Sequence, residues 1–169
     1  MLKRFKSVEN RSASKIIDIS NDLGREYCQA VGESYDEAEK TSFLGFAYAL
    51  VSTLLKSRNE VELNRLGTPL IAQLSRQYGK RVGESLPHEK LVVSMEQANA
   101  KFASQVSGFI QSMENVDAGR AAEITGNMAR DLYVRAFQKV YPNLAPRQIE
   151  LKNVFTKCYA NASAFAKAA

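Results

Sequence analysis

The stretch from Phe43 to Leu55 reads FLGFAYALVSTLL, thirteen consecutive residues without a charge. A helix that crosses a bilayer needs about 20 apolar residues, so this run is too short to span one. At helical pitch it is apolar on every side, and such a helix has to be enclosed by other parts of its own protein. A helix over about 35–57 that carries this run is therefore expected at the centre of the fold. Its neighbours must supply apolar stripes to cover it.

Those neighbours also read as helices. No segment alternates polar and apolar residues over strand length, and between the breaks the apolar residues recur at spacings of three and four. The expected fold is all-α: a single-domain bundle of about six helices over residues 1–169. Short connections make sequential helices pack mainly antiparallel. Residues 1–10 are read as a basic arm.

The first helix is expected from Ser12 to Val31, with Ser12 or Ser14 as its cap and Ile16, Leu23, Tyr27 and Val31 facing inward. The second begins at Tyr35, where Ser34 and Glu37 have capping-box spacing. The third runs from Asn59, with Glu62 completing another such box, to Val82. A kink or break falls at Gly67–Pro69, because proline lacks the amide a helix interior needs. The sixth starts at Pro146, a residue suited to a first turn. It presents Leu151, Val154, Phe155, Cys158, Ala162 and Phe165 on one side.

The fourth helix, Pro87 to Glu114, is the most regular. Val92, Met95, Asn99, Phe102, Val106, Phe109 and Met113 are spaced alternately three and four apart, which is a coiled-coil seam with one polar member. This seam is the candidate interaction surface, toward another helix of the chain or toward a partner. The fifth helix, Ala118 to Val140, carries a seam of small residues: Ala118, Ala122, Thr125, Ala129, Leu132, Ala136 and Val140. It is the expected complement to the large residues of the fourth.

Residue counts exclude much chemistry. His88 is the only histidine, so the paired Glu-x-x-His motifs of a di-iron bundle cannot be built. There is no Cys-x-x-Cys, no phosphate-loop glycine motif and no G-x-S-x-G. Ser12–Lys15 fits S-x-x-K without the companion motifs of serine–lysine hydrolases. Gly79–Gly83 is a basic helix end, and Glu33, Asp36, Glu37 and Glu39 are acids gathered at a helix start. No cofactor and no metal are called for.

The chain has 23 Lys and Arg against 18 Asp and Glu, for a net charge of +5. The surplus is loaded at the ends: residues 1–31 carry +2 and residues 121–169 carry +4. Arg76, Lys80, Arg81, Arg135 and Lys139 are the candidate nucleic-acid contacts, with Arg135 and Lys139 one turn apart on a helix face. The charge is too diffuse for a concentrated footprint. Met1–Lys6 is basic but no apolar run follows it, so no secretory leader is read there. Cys28 and Cys158 are far apart and unpatterned, which fits a reducing cytoplasm.

These readings point to a non-enzymatic protein-interaction module of regulator, adaptor or chaperone type. Its partner is another protein or a second copy, and a membrane surface is not expected. The alternatives are a nucleic-acid-binding regulator, or a small-molecule sensor or enzyme with a pocket between helices. Tyr48, Tyr133 and Tyr159 are the side chains that would line such a pocket.

Overall fold

A computed structural model of the chain describes residues 7–59, 67–82, 88–115 and 117–169. Among the described residues there are six α-helices and no strand. They are α1 (Val8–Val31), α2 (Lys40–Asn59), α3 (Gly67–Val82), α4 (His88–Asn115), α5 (Ala118–Phe137) and α6 (Gln148–Ala168). One 3-10 turn, Ala145–Arg147, leads into α6. The all-α bundle expected from the periodicity is what forms.

The uncharged run sits where its composition requires. Phe43, Leu44, Phe46, Leu50, Val51, Leu54 and Leu55 are each at most 2% exposed. α2 packs against α1, α4, α5 and α6, so every side of it is covered. No helix among the described residues is long and apolar enough to cross a membrane.

The start of α2 departs from expectation. It begins at Lys40, not Tyr35, and the Ser34–Glu37 box does not form. Tyr35 to Ala38 make a turn closed by the Ala38 amide on the Tyr35 carbonyl at 3.3 Å. The Glu39 amide donates to the Ala136 carbonyl of α5 at 2.6 Å. One donor from before α2 and one carbonyl from the last turn of α5 thus satisfy each other. The Tyr35 side chain folds back over α1, where its hydroxyl donates to Asn21 at 3.1 Å. Gly24 makes room for it, since a Cβ there would lie 2.5 Å from the Tyr35 ring.

α1 begins earlier than expected. Ser7 caps it by accepting from the Asn10 amide at 3.3 Å, so residues 8–10 are helical rather than part of an arm. Ser12 is an interior, fully buried residue and not a cap. At the other end Gly32 adopts φ +74°, and the Glu33 amide returns to the Cys28 carbonyl at 3.0 Å. This is the left-handed stop that glycine favours. α3 starts at Gly67, which puts Pro69 in its first turn, where its missing amide costs nothing. Asn59 is the last residue of α2 and not the start of the third helix, while Glu62 lies outside the described residues.

Aromatic rings organise the centre. Phe155 of α6 is fully buried and meets Tyr27 of α1 at 6.4 Å, Phe46 of α2 at 5.5 Å and Phe109 of α4 at 6.1 Å between centroids. All three pairs are edge-on or nearly so, the arrangement the ring quadrupoles prefer. In the seam of α4, Phe102, Val106 and Phe109 are buried and Met113 is half-buried. Phe102 stands edge-on to Phe46 at 5.7 Å, so this part of the seam packs within its own chain. The side chains of Val92, Met95 and Asn99 lie outside the described residues.

α5 ends at Phe137 rather than Val140. Gln138 turns to φ 51° and its amide closes on the Val134 carbonyl at 2.9 Å. Val140 is then 92% exposed, and Ala118 and Ala122 are exposed as well. The buried face of α5 contains Met128, Leu132, Tyr133 and Phe137 beside Thr125, Ala129 and Ala136. It is therefore broader and larger than the small-residue seam implied.

Candidate functional site

Four hydrogen bonds dock α5 and the segment after it onto α1 and the residues just past its end. The Tyr27 hydroxyl donates to the Ala129 carbonyl at 2.5 Å, deep in the core. The Tyr133 hydroxyl donates to the Glu33 carboxylate at 2.8 Å. Arg147 Nη1 donates to the Ala30 carbonyl at 3.0 Å, meeting the negative end of α1 with a cation. Lys139 Nζ joins the second oxygen of Glu33 at 3.2 Å. The Tyr133 and Lys139 hydrogen bonds hold the Glu33 carboxyl below its ordinary range. Burial, then the bond to Glu33, moves the Tyr133 phenol upward.

This docking leaves a hollow of about 210 Å³ between α5, the connector and α6. Its α5 wall is Ala122, Thr125, Gly126 and Ala129; the connector adds Tyr141 and Leu144; α6 adds Gln148, Ile149, Leu151 and Lys152. The α5 residues are small and recur at helical spacing, so no side chain from that wall fills the space. Leu144 and Leu151 are buried at its base, whereas Ile149 is 76% exposed at its edge. An engineered apolar cavity of about 150 Å³ holds benzene, so this one has room for a ring and a substituent.

Two features of the wall are unusual. Thr125 is 3% exposed and its Oγ1 has no hydrogen-bond partner. Buried helical threonines ordinarily bond back to the carbonyl four residues earlier. Thr53 does so to Ala49 at 2.7 Å and Thr156 to Lys152 at 2.8 Å. An unpaired buried hydroxyl costs about 1–3 kcal/mol. Gly126 lies mid-helix, where glycine costs about 1 kcal/mol relative to alanine. A Cβ at Gly126 would meet nothing within 4 Å. Packing therefore does not account for the glycine; what its missing side chain preserves is open space.

The electrostatics of the hollow are one-sided. Among the described residues, Lys152 is the only charged one in its lining. Behind Tyr141, the Arg130 guanidinium lies 5.0 Å from the ring centroid. α6 also begins here, and the start of a helix favours negative charge. A second, polar hollow of about 300 Å³ lies between α4 and α5, lined by Gln105, Asn127, Arg130 and Asp131 among others. There Gln105 donates to Asp131 at 2.7 Å, and Lys101 pairs with the same carboxylate at 3.8 Å.

The residues singled out in the sequence are dispersed. Arg135 and Lys139 do not share a helix face, because α5 stops before Lys139 and Lys139 turns to Glu33. Arg135 lies over the Phe102 ring at 5.3 Å, half-buried. Arg76 is exposed, while the side chains of Lys80, Arg81 and His88 lie outside the described residues. Of the acidic group, Glu33 is bonded as above and Glu39 accepts from Thr41 at 3.0 Å. Tyr48, Tyr133 and Tyr159 do not line the α5–α6 hollow; Tyr141 does. Three members of the small-residue seam, Ala122, Thr125 and Ala129, line this hollow instead of seating the large residues of α4. The available signal was that seam with a glycine inside it. That the connector folds back over it was not legible.

Cys28 and Cys158 are unpaired and buried. Burial pushes their thiols up to about 11 and about 12. Both are therefore almost wholly protonated and unreactive at neutral pH. Among the described residues, no three His, Cys, Asp or Glu side chains gather as a metal site. No protein-family model, curated protein or solved structure matches this chain.

Proposed function

We propose that this helical bundle is a binding protein that takes a small, mainly apolar molecule in the hollow between α5 and α6. The observation that carries the reading is the wall itself: small residues at helical spacing with a mid-helix glycine whose side-chain space is empty. That glycine costs stability in the unliganded protein. A bound molecule would occupy the space it keeps. A cytoplasmic, regulatory setting accords with the two unpaired thiols.

The test compares thermal unfolding with and without toluene and indole for the natural chain and for Gly126→Leu. A ligand specific for the native state raises the unfolding temperature as it saturates. The natural chain should respond and Gly126→Leu, with the hollow filled, should not. Equal responses from both proteins, or none from either, would refute the reading.

A protein partner is the second reading. Val140, 92% exposed, and Ile149, 76% exposed, are large apolar residues at and near the same hollow. It predicts that Ile149→Asp abolishes a specific complex in cell extract, and that the natural chain does not bind toluene. The nucleic-acid reading has less support, because Lys139 and Arg135 are engaged inside the chain.

A further inference from the structure

We propose that residues 139–143 are a strap that closes over the occupied hollow, setting Val140 against Ile149 once Lys139 has left Glu33. This rests on the reading of the hollow as a site for a small apolar molecule and adds how that site is shut. Val140, 92% exposed, and Ile149, 76% exposed, are the two most exposed large apolar residues among the described residues. They flank the same hollow. Ile149 lines its edge, and Val140 directly precedes Tyr141, which lines the connector wall. Removing two such side chains from water together is favourable in proportion to the apolar area they cover.

The strap is held in a way that lets it move. Among the described residues, the backbone of residues 139–143 makes no backbone–backbone hydrogen bond with any helix. Side chains fasten it instead. Lys139 pairs with Glu33 in an exposed ion pair, a kind that holds weakly. The Tyr141 ring stands edge-on to Tyr133 at 6.4 Å, with the Arg130 guanidinium 5.0 Å from its centroid. The two ends are fixed more firmly. The Gln138 amide closes the last turn of α5, and at the far end Leu144 is buried and Arg147 is bonded to Ala30. A short segment with few buried apolar contacts belongs to the low-stability class from which closing loops are drawn.

In the arrangement described above, the ion pair keeps the start of the strap at the end of α1 and leaves Val140 in water. A molecule in the hollow adds apolar surface beside Ile149, so closure buries more when the hollow is occupied. The movement exchanges an exposed ion pair for a covered valine. Glu33 keeps its bond from the Tyr133 hydroxyl, so the docking of α5 on the end of α1 survives it.

The experiment titrates the full-length protein with toluene and indole, and reads affinity from chemical-shift changes in the protein spectrum. Val140 is outside the lining, so without closure its replacement has no route to the ligand. With closure, Val140→Ser should weaken both probes about tenfold, the lower end for a valine that loses its burial. Lys139→Gln releases the strap and should tighten both about two- to fivefold, the range for removing an exposed ion pair. Lys157→Gln breaks the exposed pair with Glu26, outside the strap and the lining, and should change neither affinity. Unfolding without probe should be the same for Val140→Ser and the natural chain, which shows that the fold is intact.

Two failures are distinguishable. Natural affinity in Val140→Ser, or no tightening in Lys139→Gln, overturns the strap and leaves the hollow a ligand site. If neither probe binds the natural chain, or Gly126→Leu binds them equally well, the ligand site itself is refuted, and the strap with it.

Discussion

The hydroxyl of Tyr133 donates to the carboxylate of Glu33 at 2.8 Å, joining residues 100 positions apart in the chain. The bond ties the end of α1 to the last turns of α5. Lys139, just past the stop of α5, takes the other carboxylate oxygen. The start of the connector is thereby held against α1, and the hollow on the far side of α5 inherits that placement.

Glu33 should make stability depend on pH. Its folded-state pKa is lowered, so its contribution is present above the unfolded value of about 4.3 and is lost as pH falls through the folded one. Glu33→Gln should be less stable than the natural chain by about 1 kcal/mol at pH 7, a hydrogen bond to a charge discounted for its partly exposed position. In acid the two proteins should converge. Urea unfolding at both pH values measures this; a gap that persists or widens in acid would contradict it.

Phe155 should be the costliest single core truncation. It closes edge contacts with rings from three other helices and is fully buried. Phe155→Ala should lose about 3–5 kcal/mol, the range for emptying a large aromatic site. The shift in urea midpoint at unchanged slope gives the value, and a loss below 1 kcal/mol would show that the ring cluster is not the centre of the core.

Two helix stops make opposite predictions. Gly32 has φ +74°, and a Cβ there would meet Arg147 Nη1 at 2.8 Å. Gly32→Ala should cost about 1–2 kcal/mol from backbone strain alone. Gln138 holds the same left-handed conformation at φ 51° without being glycine. Gln138→Gly should therefore gain up to about 1 kcal/mol. Calorimetric melting of the pair checks the signs, which must differ.

The wall of the hollow should be improvable in the absence of ligand. Thr125→Val removes an unpaired buried hydroxyl while keeping its shape, and Gly126→Ala adds helix preference where nothing obstructs a methyl group. Each should raise stability by about 1 kcal/mol. Chemical unfolding measures both, and destabilisation by either would mean that the site is not held open at the expense of stability.

The sequence by itself determined the class of this fold. A run of thirteen uncharged residues had to be enclosed, and helical spacing on either side of it supplied the covers. Tyr27, Leu23, Phe102, Phe109 and Phe155 were legible as core because burial follows the period of the helix they lie on. Local spacing could not determine where helices start and stop when a distant group competes for the same atom. The Glu39 amide goes to Ala136, and Tyr35 folds onto Gly24, so the capping box written at Ser34 and Glu37 is overruled. The same holds for Ala122, Thr125 and Ala129. Their spacing announced a small-residue face, but only the return of the connector and α6 left that face open as a hollow. Periodicity is a property of one helix; a cavity belongs to the space several of them fail to fill.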